Sequence, residues 1–265
     1  MDIPVKHRDS LPVSEMFLSL QGEGPGAGRR AVFLRLAFCN LKCVWCDSDY
    51  TWRGKVEATW VRSREVAAEL KRLWDFHLCP VTGKPKMMAK GPAFAETLPE
   101  AVARGSSHPP PLLVITGGEP LLFQDRLVFL LGRLGGWSVE VETNGTVAPS
   151  REFTRLVSQF NVSPKLANSR QPLGLRRVPS AIAAFLESGK AIWKFVVCSR
   201  RDIVEINRWV NDFGLPHDRV FLMPEGVTRD RLAQTSAIAA DLAARYGYRF
   251  THRLQILMWN GERGK

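Results

Sequence analysis

The chain has 265 residues, 45% of them hydrophobic, which excludes a disordered chain and supplies a sizeable core for one large domain or two small ones. Thirty-seven Lys and Arg against 26 Asp and Glu leave +11, a charge that attracts nucleic acid, anionic membrane or an acidic protein without choosing among them. No stretch reaches the roughly 18–20 apolar residues of a membrane-spanning helix, and residues 1–12, polar and broken by Pro4 and Pro12, lack a secretory apolar region, so the expected compartment is the cytoplasm.

In chain order, a β-type run at 31–37 (AVFLRLA) is followed by a helix over 63–74, with apolar residues at helical spacing through Val66, Leu70, Leu73 and Trp74. Residues 75–111, with Pro80, Pro85, Pro92, Pro99 and three consecutive prolines at the end, read as an insertion or surface excursion. A buried strand at 112–116 (LLVIT) runs into a glycine pair, and a helix follows over 123–134. Strands at 137–143, 160–163, 192–198 and 220–223 then alternate with helices over 150–159, 179–188, 202–212 and 229–246, and residues 250–259 read as a last strand. Strands spaced by helices in this way form βαβ units, whose crossovers build a parallel sheet with its helices outside. About six units, against the eight of a closed barrel, predict an α/β fold that is a partial, open (β/α)6-type TIM-like barrel.

Five cysteines stand at 39, 43, 46, 79 and 198, an odd number with three crowded together, which suits metal better than disulfides in a reducing compartment. Cys39, Cys43 and Cys46 form C-x3-C-x2-C just after a strand, and three thiolates hold three corners of a cubane iron–sulfur cluster while leaving its fourth iron open. The competing arrangement is structural zinc, which wants four closed ligands; none lies close by in sequence, although His7, His77 and Cys79 can return in space. Cys79 and Cys198 otherwise read as free thiols.

The cysteine spacing and Trp45 resemble the radical S-adenosylmethionine superfamily. That resemblance implies a 4Fe-4S cluster whose open iron chelates S-adenosylmethionine, with one electron then releasing a 5′-deoxyadenosyl radical. Thr116-Gly117-Gly118-Glu119-Pro120 is similar to the superfamily's GGEP element, which holds the amino group of S-adenosylmethionine. The order SLQGEGP (19–25), FLRLAFC, CNLKCVWCDS, ITGGEPL, ETNGT (142–146) and Ser163-Pro164-Lys165 closely resembles the 7-carboxy-7-deazaguanine synthase family over residues 14–226. The family converts 6-carboxy-5,6,7,8-tetrahydropterin into 7-carboxy-7-deazaguanine with loss of ammonia, in queuosine and 7-deazapurine biosynthesis, and uses Mg2+.

By this resemblance Leu20, Gln21, Gly22, Arg35 and Thr116 contact substrate, Arg35 forking the carboxylate bidentately. Ser48 takes the place of the family's magnesium-binding threonine, keeping the hard oxygen ligand. Gly118, Ser163, Pro164, Lys165, Met223, Pro224, Glu225 and Gly226 match contacts to S-adenosylmethionine, and Glu142, Thr143 and Asn144 end a strand on the ligand face. No residue is assigned as a catalytic acid or base. Two departures stand out: Phe38 where the family has Gly, and a tail, 259–265, without the terminal proline that contacts substrate in some members.

The expected organisation is one radical S-adenosylmethionine domain over 1–265, a homodimer as in the family, reduced by an acidic donor such as flavodoxin, with no nucleic-acid or membrane partner. Two other readings compete: a radical enzyme activating a protein partner, against which SLQGEGP and Arg35 argue, and a zinc-stabilised nucleic-acid-binding module, which lacks a second cysteine pair.

Overall fold

A computed structural model of the chain describes residues 7–56, 58–75 and 109–264. Nearly all of the expected insertion at 75–111, including Cys79 and His77, lies outside the described residues.

Strands β1 (Ser10–Leu20), β2 (Arg30–Leu36) and β3 (Thr59–Arg62) precede helix α1 (Ser63–Asp75). After them come β4 (Leu112–Gly117), α2 (Gln124–Leu131), β5 (Ser138–Thr143), α3 (Arg151–Leu156) and β6 (Gln159–Val162). The chain continues through α4 (Leu173–Arg176), α5 (Pro179–Glu187), β7 (Ala191–Val197), α6 (Asp202–Phe213) and β8 (Val220–Pro224). It ends in α7 (Arg229–Tyr246), β9 (Arg249–Phe250) and α8 (Leu254–Trp259).

One sheet takes them in the order β3-β1-β2-β4-β5-β6-β7-β8-β9, with β3 and β9 as unjoined edges, so the barrel is open. From β2 to β9 all neighbours are parallel, and α1, α2, α3, α5, α6 and α7 each lie between successive strands, the expected alternation of βα units. The central strands are buried along their length, as β7 (AIWKFVV) is at every position, because helices cover the sheet. Phe160, Phe185 and Trp193 meet edge to face beneath it, with centroids 5.2 and 6.5 Å apart.

One expectation about the end of the chain is corrected, and one strand at its start was not foreseen. Residues 250–259 are not a strand: β9 has two residues, and the LQILMW run forms α8, ended by Asn260 in the left-handed region at φ 49°. Leu, Gln and Met favour helix, and so short an apolar run has no period that decides. The polar, proline-broken N-terminus holds β1, antiparallel to both β2 and β3. Pro12 is tolerated inside it because its β2 pairing begins only at Val13, where a bulge before Glu15 interrupts the ladder.

Candidate active site

The carboxyl ends of β2, β4, β5, β6, β7 and β8 open onto one cavity of about 430 Å³, the face on which parallel α/β folds bind ligands. Every site residue expected from sequence lines it except Pro164, Pro224 and Gly226. Three groups of side chains make its wall.

The first is the cysteine loop after β2. Cys39, Cys43 and Cys46 all face the cavity. Leu41 N–H donates to Cys39 Sγ at 3.4 Å and Trp52 Nε1 to Cys46 Sγ at 3.3 Å, the kind of N–H···S contact that tunes an iron–sulfur site. Burial pushes the Cys39 thiol up to about 12 and raises that of Cys43, so without metal both keep their protons and a bound metal displaces them. Among the described residues no three His, Cys, Asp or Glu converge on a single ion. Ligands of a multi-iron cluster attach to separate irons, so a spread trio of thiols with an open face fits that group in donor chemistry and position. Ser48, 7% exposed, borders the same cavity and donates to Asp47 Oδ1 at 3.2 Å.

The second group is polar and sits across β2, β4 and β5. Arg35 and Thr116 are register neighbours on adjacent strands; Thr116 Oγ1 donates to Glu142 Oε2 at 2.8 Å. Arg35 Nε donates to Glu15 Oε2 at 2.8 Å, and Glu15 also accepts from Tyr50 Oη at 3.0 Å and from Arg263 Nε at 3.0 Å. The tail thus reaches the cavity rim, with the Arg263 guanidinium 3.7 Å from the Tyr50 ring centroid. Gln21, 1% exposed, turns its amide into the protein: Nε2 donates to Glu140 at 3.2 Å and Oε1 accepts from Glu23 N–H at 3.3 Å. Leu20 ends β1 and Gly22 accepts from Leu254 N–H at 3.1 Å.

The third group is an ionic network that motif reading missed. Glu23 pairs with Lys194 and accepts from Arg253 Nε at 3.1 Å and Gln255 Nε2 at 2.7 Å. Arg253, 6% exposed, also pairs with Asp47 and donates to Gly226 O at 2.5 Å, so one guanidinium ties the cysteine loop to the β8 end. Burial raises the Glu23 carboxyl, but Lys194 and then Arg253 outweigh it and hold the group at about 2. Lys194 did carry a sequence signal: a lone cation in the apolar run AIWKFVV has to be paired. Arg253 carried none.

The glycine pair lines the cavity and also packs the β4 turn against the cysteine loop. A Cβ on Gly117, which sits at φ 130°, would meet Leu36 O at 2.0 Å, and one on Gly118 would meet Phe38 O at 1.9 Å. The β4 turn is pressed against the backbone leading to Cys39, with Gly118 N–H donating to Leu36 O at 3.0 Å and Glu119 N–H to Phe38 O at 2.8 Å. Glu119, fully buried, then accepts from Leu121 N–H at 3.0 Å, Thr143 Oγ1 at 2.8 Å and Asn144 N–H at 2.7 Å. Burial outweighs these bonds and raises its carboxyl above the ordinary range. Asn144 in turn donates to Asn40 Oδ1 at 2.9 Å, closing a ring of contacts among the loops after β2, β4 and β5.

On the far side Lys165 Nζ donates to Ser163 O at 2.9 Å and Oγ at 3.0 Å and lies 5.6 Å from the Trp45 ring centroid. Met223 on β8 and Glu225 just after it line the cavity, Glu225 accepting from Arg231 Nε at 2.6 Å; Pro164, Pro224 and Gly226 do not line it. Phe38 occupies the left-handed region at φ 71°, the conformation for which glycine is suited.

A 7-carboxy-7-deazaguanine synthase of Pyrobaculum aerophilum is 37% identical over 257 residues, 96% of this chain and 96% of that protein. One of Hyperthermus butylicus is 35% identical over 254 residues, 94% of this chain and 92% of that one. QueE from Escherichia coli has the same fold, with a TM-score of 0.58 over 92% of this chain and 93% of its own at 23% identity. No protein-family model matches the chain.

Proposed function

The chain belongs to the 7-carboxy-7-deazaguanine synthase family, and on that premise we propose that its cavity converts 6-carboxy-5,6,7,8-tetrahydropterin to 7-carboxy-7-deazaguanine and ammonia in queuosine biosynthesis. The observation that carries the reading is the juxtaposition, in one cavity, of a three-thiol wall and the Arg35–Thr116–Glu142 polar group. Its volume falls within the range of small-molecule sites.

Cys39, Cys43 and Cys46 would hold the 4Fe-4S cluster; with S-adenosylmethionine it supplies, when bound, a carbon radical able to take a hydrogen atom from the pterin. The chain's own work is binding and orientation. Arg35, fixed through Nε by Glu15, offers its terminal nitrogens as a fork for the substrate carboxylate. Thr116 and Glu142, already bonded to each other, present a hydroxyl and a carboxylate to the donors of the pterin edge, while Leu20, Gln21 and Gly22 shape the wall beside them. Gly118, Ser163, Lys165, Met223 and Glu225 border the space for S-adenosylmethionine, with Pro164, Pro224 and Gly226 setting the turns that place them. Ser48, beside Asp47, supplies a hard oxygen for Mg2+. The overall reaction is redox-neutral: the ring contracts and the nitrogen it loses leaves as ammonia.

The +11 charge supports reduction by an acidic donor such as flavodoxin. Among the described residues no helix is long and apolar enough to cross a membrane; the cytoplasmic place of work follows from the biosynthetic role proposed. One domain over 1–265, with 75–111 as its insertion, and a homodimeric state complete the reading.

The test is anaerobic: reconstituted protein with S-adenosylmethionine, dithionite and 6-carboxytetrahydropterin forms the deazapurine, one ammonia per turnover. Absence of product from protein fully loaded with iron and sulfide refutes it.

A further inference from the structure

We infer that the outer face of the cysteine loop, together with the segment after β6 and the start of α6, is the docking surface of an acidic one-electron donor protein. The inference rests on the proposed activity and locates on the fold the entry point that activity requires.

Cys43 is buried at 6% exposure, but the residues on either side of it turn outward: Lys42 is exposed and Val44 is 51% exposed. Lys42 N–H donates to Gln171 Oε1 at 3.1 Å, Gln171 Nε2 returns a bond to Lys42 O at 2.7 Å, and Val44 N–H donates to Ser169 O at 3.3 Å. These bonds lay the segment 169–175 alongside the loop. Leu173 and Leu175, each 54% exposed, stand on that segment. Glu205 accepts from Ala167 N–H at 2.7 Å and pairs with Arg176, which brings α6 up to its other edge with Val204 at 55% exposure.

Single exposed apolar side chains are ordinary, but here four large ones occur on elements bonded directly to one another. They are accompanied by Lys42, Arg170, Arg201 and Arg208, all exposed; Arg201, just before α6, and Arg208 on it flank Val204 at three and four residues' distance. Among the described residues none of these four cations joins an ion pair. Exposed apolar side chains interspersed with cations are what a protein interface offers, and the cations select an acidic partner. A second copy of this chain meets it poorly, because a two-fold contact sets the same cations against themselves. The position supplies the role: the thiol of Cys43 is reached through its two outward neighbours, so a donor seated here gives up one electron to the cluster over a short path, the donor's reduced flavin being oxidised by one electron in turn.

The probe is flavodoxin, titrated calorimetrically into anaerobically reconstituted enzyme at low and high salt, against a variant carrying Leu173→Ser, Leu175→Ser and Arg201→Glu. Binding by the unaltered enzyme weakens as salt rises, and the variant binds at least about 10-fold more weakly, the loss of about 1.4 kcal/mol. Its flavodoxin-supported turnover falls, while its iron content and dithionite-driven turnover match the unaltered enzyme. Equal binding by variant and unaltered enzyme overturns the inference, as does a dimer that the variant alone converts to monomers in sedimentation, or competition by DNA for the same patch. Failure of dithionite-driven turnover in the unaltered enzyme, with flavodoxin binding still lost in the variant, sustains the surface and overturns the activity instead.

Discussion

Replacing Arg253 by Met tests the ionic network that joins three walls of the cavity. The Glu23 carboxyl is held at about 2 against an ordinary 4.5, which corresponds to about 3 kcal/mol of favourable interaction in the folded state. Lys194 supplies the larger part of the opposing charge and Arg253 the next, so losing Arg253 removes part of that depression. Its bond to Gly226 O, charge-assisted and buried, adds about 2 kcal/mol. Asp47 adds little, because its side chain is 43% exposed and water replaces the lost cation. The expected loss is therefore about 3 kcal/mol, the lower end of what breaking a buried pair costs. The pH dependence has a defined sign. A carboxyl depressed by folding contributes fully above its unfolded value of 4.5 and loses that contribution as pH falls toward about 2. In Arg253→Met the depression is smaller and there is less to lose, so the two chains converge in stability at the acid end of that window, near pH 2. Urea unfolding followed by tryptophan fluorescence at pH 7 and at about pH 2 reads both effects. Equal stability at pH 7, or a gap that stays constant into acid, refutes the assignment.

Phe38 is held at φ 71°, which costs about 1 kcal/mol for a residue with a Cβ, while its ring packs against Trp60 and Phe123 at 6.4 and 6.3 Å. Phe38→Gly and Phe38→Ala both lose the ring, but only glycine relieves the backbone, so unfolding measurements should find the glycine variant more stable by about 1 kcal/mol; the opposite order refutes the strain. Arg35→Lys keeps the charge and loses the fork, so steady-state kinetics should show kcat/KM for the pterin reduced about 10- to 100-fold with iron content unchanged. An unchanged kcat/KM places the substrate carboxylate elsewhere.

The alternation of strands and helices from 112 to 246 was legible because buried parallel strands and amphipathic helices have different periods, and the elements there match to within a few residues, the single-turn α4 excepted. What escaped was the antiparallel margin. β1 carries Pro12 and a bulge, both of which erase the signature of a strand, and β3 has four residues. The three thiols and the polar group of the cavity were legible because their residue types and order are unusual. The Arg253 and Gln255 contributions were not, since they come from 230 and 232 positions beyond Glu23 and depend on α8, a segment whose short apolar run admits either helix or strand.

The glycine pair shows why the motifs have to be read jointly. Gly117 and Gly118 have no room for a side chain because Leu36 and Phe38 press on them, and Glu119 then fixes Thr143 and Asn144. Asn144 reaches back to Asn40, next to the first cysteine. The loops after β2, β4 and β5 therefore form one hydrogen-bonded body, and a change in any of them displaces the other two. Residues far apart in sequence and chemically unlike, a thiol, a glycine and an asparagine, share one constraint: the backbone before Cys39 has to stay where the β4 turn can lean on it. Phe38 satisfies that constraint in a conformation glycine would take without strain, and the aromatic contacts with Trp60 and Phe123 are what hold it there.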